Sequence, residues 1–246
     1  MQTEKKHLEI LLIQYFKEYY NDFPKGLILP SESPDFVVQL KSLNILGIEI
    51  TRLNPGNAEI PNELLMKKNE FRNHFIEIVK ELVEKDIPHH LFVKFLFSEK
   101  QIIREERKLM AAIKTANVIR KATIIKSTDS FFKLSIPSGQ LPSGIDEILL
   151  VNHPIMQTSI WERSNNLGIS NNVLDDIRTA IHKKDEKLRI YQKQRLNFYW
   201  LLIVTDRLRG VKSFNLANKI MNHKFHSNFQ RVFLFDLVKS KVYVLV

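Results

Sequence analysis

The chain has 246 residues, of which 44% are hydrophobic, so it can bury the core of one large domain or of two small ones. It contains no cysteine, which excludes disulfides, thiolate metal sites and a cysteine nucleophile. Lys and Arg number 37 against 27 Asp and Glu, giving a net charge of +10. This balance is typical of proteins that bind nucleic acid, but a Lys-rich protein whose charge serves only solubility would show it equally well.

Nothing in the sequence predicts a membrane segment or a signal peptide. The N-terminal MQTEKKHLEILLIQYF has charges among its apolar residues, and no apolar run approaches the roughly 18 residues of a membrane span. We therefore expect a cytoplasmic protein. The motifs GxxxxGK[ST], GxGxxG and GxSxG are absent, so NTPase, dinucleotide-binding and nucleophile-elbow hydrolase functions have no support.

The first part of the chain is predicted to form one helix followed by three strands. Residues 4–21 carry apolar side chains at helical spacing. Three short apolar runs separated by turn residues follow, and they are GLILP (26–30), DFVVQL (35–40) and ILGIEITRL (45–53).

The middle of the chain alternates between helical and strand patterns. Helical spacing is found over residues 62–87 and again over 99–121, and the dense apolar run HLFVKFLF at 90–97 predicts a buried strand between them. The stretch from 122 to 160 is less regular, with weak strands that include EILLV at 147–151.

The last third of the chain has the clearest patterns. Residues 171–192 predict a helix with acids early and bases late, which suits the helix dipole. FYWLLIVTD at 198–206 predicts a core strand, and 231–246 predicts two strands joined near Lys239 and Ser240. A helix between strands predicts an α/β fold with a mixed sheet and a crossover connection.

Two carboxylates lie in otherwise apolar strand patterns. Asp35 opens the second of these runs and Glu49 lies inside the third, although an unpaired buried charge costs several kcal/mol. On a strand, Glu49 and Thr51 share one face while Ile48 and Ile50 point to the other. Two carboxylates on adjacent strands could hold Mg²⁺, which prefers hard oxygen ligands. The alternative is a turn Asp and a strand Glu in a salt bridge.

The order of helix, three strands, helix and strand resembles the PD-(D/E)XK nuclease superfamily. The motif is represented here by Pro34-Asp35 and, after a 14-residue step, Glu49-Ile50-Thr51. The resemblance implies a restriction-endonuclease-like core (α-β-β-β-α-β) whose mixed central β-sheet is flanked by helices. It also implies one α/β domain over residues 1–246, with an insertion within the core at 60–160.

The same resemblance implies the ligands of a metal site. Asp35, Glu49 and the backbone carbonyl of Ile50 would hold Mg²⁺ or Mn²⁺. Other members of the superfamily add a glutamate from the first helix, for which Glu9 and Glu18 are the candidates, with Glu9 preferred as a ligand. The alternative for both is a helix acid exposed to solvent.

The motif lysine is missing, because the family has Lys two residues after the second acid and this chain has Thr51. Related families take the lysine from the following helix. At about 100° per residue, Lys184 lies within an apolar sector of that helix and Lys187 lies at its edge. The apolar sector spans roughly 80° and consists of Ile177, Ile181, Leu188 and Tyr191. We predict Lys184 as the catalytic lysine that stabilises charge on the phosphate, with Lys187 second; alternatively, both stems run along the sheet edge to reach water.

Four residues are predicted to contact nucleic acid, namely Arg52, Lys183, Trp161 and Arg163. In IWERSNNLG an aromatic residue near a basic residue suits stacking on nucleic-acid bases; the alternative is that Trp161 is a packing residue. His223 and His226, in NHKFHSN, lie near Lys219 and Lys224. For these histidines a basic loop that touches phosphate and a metal site both stay open.

Together these patterns predict a Mg²⁺-dependent (or Mn²⁺-dependent) nuclease that hydrolyses phosphodiester bonds of nucleic acid, with DNA favoured over RNA. The oligomeric state is left open, and a homodimer is one option. One alternative is a catalytically inactive nuclease fold that binds nucleic acid or protein, in which Thr51 marks a lost site. Another is an interaction protein whose basic charge is incidental.

Overall fold

A computed structural model describes residues 2–53, 63–126, 131–164, 173–192, 196–205, 220 and 223–246. The α-helices in this part of the chain are α1 (Gln2–Tyr19), α2 (Glu63–Glu84), α3 (Lys108–Ile125) and α4 (Val173–Tyr191). The strands are β1 (Gly26–Pro30), β2 (Phe36–Leu40), β3 (Ile45–Arg52), β4 (Leu91–Phe97), β5 (Phe132–Pro137), β6 (Ile145–Asn152), β7 (Ile160–Arg163), β8 (Phe198–Thr205), β9 (Arg231–Asp236) and β10 (Lys241–Val244).

The chain divides into two compact units, each with its own sheet. The first unit contains α2, α3 and the four-stranded sheet β5-β6-β4-β7. The second contains α1 from Glu9 onward, α4 and the six-stranded sheet β1-β2-β3-β8-β9-β10. We expected one central sheet. The second sheet was not predicted, because pairing between strands that are distant along the chain leaves no local pattern in the sequence. The predicted insertion at 60–160 lies within the first unit.

The six-stranded sheet mixes strand directions. Strands β1, β2 and β3 pair antiparallel in chain order. Strand β3 then pairs parallel with β8, and β8 with β9, while β10 returns antiparallel to β9. The α/β class with mixed sheets flanked by helices is therefore confirmed.

A helix covers each face of this sheet, because side chains alternate between the two faces of a strand. On one face α1 packs aromatic rings against β9, with the Phe16 and Phe233 centroids 5.1 Å apart. On the other face α4 buries Ile177 and Ile181 in a cluster with β8 and β9 residues such as Leu201. The sheet is the middle of three layers, which is how an α/β domain buries both faces of its strands.

The first unit has a separate core. Every residue of β4 is buried. The rings of Phe75 from α2 and Phe95 from β4 meet edge to face at 6.5 Å, and Ala112 and Ile119 of α3 belong to the same cluster. The unit therefore has an apolar core of its own, built from two helices and one face of a sheet.

Most predicted elements are confirmed to within a few residues, but the helix predicted at 99–121 begins at Lys108. The Ser98 hydroxyl oxygen accepts hydrogen bonds from the backbone N–H groups of Lys100 and Gln101, at 3.3 Å each. These bonds form a turn after β4. Local side-chain bonds of this kind compete with helix formation. No helix in the described ranges combines the length and apolar character needed to cross a membrane.

Candidate active site

The register of the β2–β3 pair brings the two predicted acids together. Phe36 pairs with Ile48, so Asp35, one residue earlier, lies opposite Glu49. Directly opposed residues on antiparallel strands point to the same face of a sheet. The Asp35 carboxylate is held in place by the backbone N–H of Ile50, which donates to Oδ2 at 2.7 Å.

Lys184 reaches this pair from α4. Its Nζ donates to Glu49 Oε1 at 2.6 Å, although the two residues are 135 positions apart. Both side chains are largely buried, with exposed fractions of 18% for Lys184 and 7% for Glu49. The short distance and the burial make this a charge-assisted hydrogen bond rather than a loose surface ion pair.

Close packing beside Gly47 fixes the approach of the turn that carries Asp35. A Cβ atom at Gly47 would lie 2.7 Å from Pro34 Cγ and 2.7 Å from Leu196 Cδ1. Gly47 and Glu49 are two residues apart on β3, so both face the same side of the sheet. The missing side chain therefore lets Pro34 rest directly on the strand, one residue before the carboxylate.

Tyr191 is a member of the site that the sequence analysis did not assign to it. It ends α4, is 3% exposed, and interacts with the Glu49 side chain. Burial raises the pKa of the Tyr191 hydroxyl, and the negative charges of Glu49 and Asp35 add to the effect. Its spacing of seven residues from Lys184 places both on one helix face, and that signal could have found it.

Glu9 of α1 is a buried carboxylate in the same unit. Its side chain is 8% exposed, and its charge acts on Asp35. Glu18, the other candidate on this helix, is exposed.

The crowding of acids changes the protonation of Asp35. Burial raises the pKa of Asp35 from 3.8 to about 6, and repulsion by Glu49 and Glu9 adds to it. The Ile50 N–H and the Lys184 ammonium act in the opposite direction but do not cancel the rise. A further cation beside Asp35 would relieve this repulsion.

The donor set fits a hard divalent ion. Carboxylate oxygens of Asp35 and Glu49, with the carbonyl of Ile50, are the ligand type that Mg²⁺ prefers, and Mg²⁺ usually keeps several waters beside one or two carboxylates. Within the described ranges, no group of three or more His, Asp or Glu side chains is arranged to hold a metal ion. A metal here would therefore depend on two carboxylates, one carbonyl and water.

The remaining predicted residues are divided between the two units. In the second unit, Lys183 and Lys187 are exposed on α4, and Arg52 ends β3 half-buried. In the first unit, Trp161 Nε1 donates to Glu84 at 2.9 Å and Arg163 Nε donates to Asn73 at 3.2 Å. Trp161 also packs against that unit's core. The predicted nucleic-acid contacts of Arg52, Lys183, Trp161 and Arg163 stay predictions.

Comparison of the chain with family models, with curated proteins and with solved structures gives no match.

Proposed function

We propose that this protein is a metal-dependent nuclease of the PD-(D/E)XK type. The observation that carries the proposal is the 2.6 Å contact between Lys184 and Glu49 beside Asp35. A lysine from α4 reaches the second acid although the motif position after it holds Thr51. Burying an ammonium group on an otherwise apolar helix face costs free energy. We therefore take the position of Lys184 to serve the reaction.

The order of elements in the second unit supports the same proposal. Helix α1, the antiparallel strands β1 to β3, helix α4 and the parallel strand β8 follow the α-β-β-β-α-β order of the restriction-endonuclease-like core. In that arrangement the acids belong to the second and third strands, and here Asp35 directly precedes β2 while Glu49 lies in β3. The lysine then comes from the helix that precedes the fourth strand.

Each residue has a role that follows from its contacts. A divalent ion at Asp35 and Glu49 would polarise a phosphate oxygen and make water more acidic. Asp35 is oriented by the Ile50 N–H, and Glu49 is oriented by Lys184 and Tyr191. The Lys184 ammonium would stabilise negative charge that develops on the phosphate, and electrostatic stabilisation of this kind is the largest single contribution to catalysis in many enzymes.

A non-catalytic nucleic-acid-binding module is the second candidate. It is favoured by the same ion pair, because Lys184 already neutralises Glu49 and reduces the charge left to attract a metal. The two functions differ in one result, which is whether a bound strand is cut when Mg²⁺ or Mn²⁺ is added.

The test is cleavage of plasmid and single-stranded DNA, and of RNA, with Mg²⁺ or Mn²⁺ and with EDTA. We expect divalent-dependent cleavage by the wild type. Replacing Asp35→Asn or Lys184→Ala removes a metal ligand or the charge that stabilises the reacting phosphate, so each should lower the rate by at least about a hundredfold.

Lys187→Ala is the matched control, because it removes the same charge from an exposed position on the same helix. It should keep activity within a few-fold of the wild type. Equal loss in Lys184→Ala and Lys187→Ala, or no cleavage by the wild type with either ion, would contradict the proposal.

A further inference from the structure

A basic pocket lies beside α4, in the same unit as the acid cluster. It has a volume of about 540 Å³ and is formed by one face of α4 and by residues 224–226. Its floor is apolar, with Ile181 and Phe225 at 3% and 7% exposure. Its rim carries Lys183 and His182 on the helix side and Lys224 on the opposite side. A pocket of this size holds a ligand of nucleotide dimensions.

The wall opposite α4 is fastened to the helix by Asp185. One oxygen of this carboxylate accepts the Ser227 hydroxyl at 2.7 Å and the Asn228 N–H at 3.0 Å. Arg178 braces the same wall, since its Nη2 contacts His223 Nε2 at 2.9 Å while Nη1 pairs with Asp175 at 2.7 Å. The segment 223–228 is therefore fixed to α4 by contacts within the protein.

Two lysines of the rim keep their charge available. In the part of the chain that the structure describes, Lys183 and Lys224 have no salt-bridge partner, whereas Asp185 and Arg178 are engaged in holding the wall. Both lysines are exposed, and they line the pocket from two different segments of the chain. Two ammonium groups facing one opening attract an anion more strongly than either does alone, because their potentials add.

The pocket and the acid cluster share one turn of α4. Lys184 points to Glu49 while its neighbour Lys183 lines the pocket. Adjacent Cα atoms are about 3.8 Å apart, and successive helix residues differ by roughly 100° in direction. A single strand of nucleic acid could therefore contact both places along its backbone.

We infer that this pocket binds the backbone phosphate of a nucleic-acid strand beside the acid cluster. The inference rests on the proposed function, because it takes the strand in the pocket to be the one that is cut. Lys183 and Lys224 contact the phosphate from two sides, and the apolar floor receives the attached sugar or base. Recognition of this kind is independent of base sequence and depends steeply on salt.

The test is binding of a fluorescent single-stranded oligonucleotide in EDTA, measured by anisotropy between about 50 and 200 mM salt. The variant is Lys183→Ala with Lys224→Ala. Loss of two phosphate contacts should weaken binding at about 100 mM salt by roughly ten- to thirtyfold and should reduce the slope of log K against log salt by about 1.4.

The control variant is Lys41→Ala with Lys241→Ala, which removes the same charge from exposed positions of the same unit. Lys41 follows β2 at the end opposite Asp35. We expect the control to change affinity by no more than about twofold and to leave the salt slope unchanged. Equal affinity and slope in the two double variants, or no binding by the wild type at low salt, would overturn the pocket inference.

Two further measurements test the source of the phosphate and the fate of the strand: competition in the binding assay, and cleavage with Mg²⁺ or Mn²⁺. Millimolar inorganic phosphate should not compete with the oligonucleotide; full competition would mean that the pocket takes free phosphate and would overturn the inference.

If the wild type cuts but the pocket variant shows an unchanged KM, the pocket inference fails and the proposed function stands. If the pocket variant binds weakly and the wild type never cuts, the nuclease proposal fails and the pocket is supported.

Discussion

At the level of single residues, the two members of the buried Lys184–Glu49 ion pair differ in exposure and in surroundings. Glu49 lies inside a strand beside Asp35, so without its cation it would be one of two crowded carboxylates. Lys184 retains more exposure, 18% against 7%, and has a long stem that can turn toward water. The cost of breaking the pair therefore depends on which member is removed.

This asymmetry predicts different stabilities for two substitutions. Lys184→Met should lower the free energy of unfolding at pH 7 by about 1–3 kcal/mol, since it leaves Glu49 without its donor. Glu49→Gln should cost less, since it also relieves the repulsion with Asp35. Chemical denaturation measures both values. A larger loss for Glu49→Gln than for Lys184→Met would contradict this account of the pair.

Asp35 gives the metal-free protein a defined pH dependence. Its pKa is raised from 3.8 to about 6 in the folded chain, mainly by burial. Between these values the folded state holds a proton that the unfolded state releases, so the contribution of Asp35 to stability is present below about pH 4 and is lost as the pH rises through 6.

Asp35→Asn should remove this dependence, because Asn stays neutral and its oxygen can still accept the Ile50 N–H. We expect the difference in Tm between Asp35→Asn and the wild type to grow in favour of the variant from pH 4 to pH 7, measured in EDTA. A constant difference across this range would show that Asp35 is not destabilised by ionisation.

At the level of elements, the β2–β3 hairpin positions the acids through its register and through one glycine. Antiparallel pairing alone puts Asp35 opposite Glu49, and a one-residue slip would move one acid to the other face. Gly47 admits Pro34 and Leu196 at distances that no side chain would allow. The turn before β2 is therefore fitted to the strand beneath it.

Gly47→Ala tests this fit. The new Cβ would meet the rigid ring of Pro34 at 2.7 Å, and such overpacking costs about 1–3 kcal/mol. We expect a lower Tm and a loss of cleavage larger than the loss of folded protein, because Asp35 moves with Pro34. Gly139→Ala is the control, since a Cβ there has nothing within 4 Å, and it should change stability by no more than about 0.5 kcal/mol. Equal behaviour of the two variants would contradict the role of Gly47.

At the level of the whole molecule, the site is assembled across a long stretch of chain. Glu49 of β3 pairs in register with Leu201 of β8. These two adjacent strands are separated by more than a hundred residues of the chain. Loop closure costs only about 0.6 kcal/mol for each doubling of length. The cost is therefore moderate, and most of the intervening residues bury a core of their own in the first unit.

The sequence alone determined the elements and the local environment of the site residues. Apolar spacing predicted α4 and placed Lys184 on its inner face, and alternation predicted that Glu49 and Thr51 share a side of β3. These properties depend on periods of 3.6 and 2 residues, which are local, so they can be read without knowledge of the partners.

Only the tertiary structure decided which groups meet. The contact of Lys184 with Glu49, the role of Tyr191 and the pocket between α4 and residues 224–226 all join segments that are distant in sequence. The formation of two sheets instead of one has the same cause, because strand pairing depends on long-range contacts. The periods of the helix and the strand fix the face on which a side chain lies, but the tertiary structure determines which residues it contacts on that face.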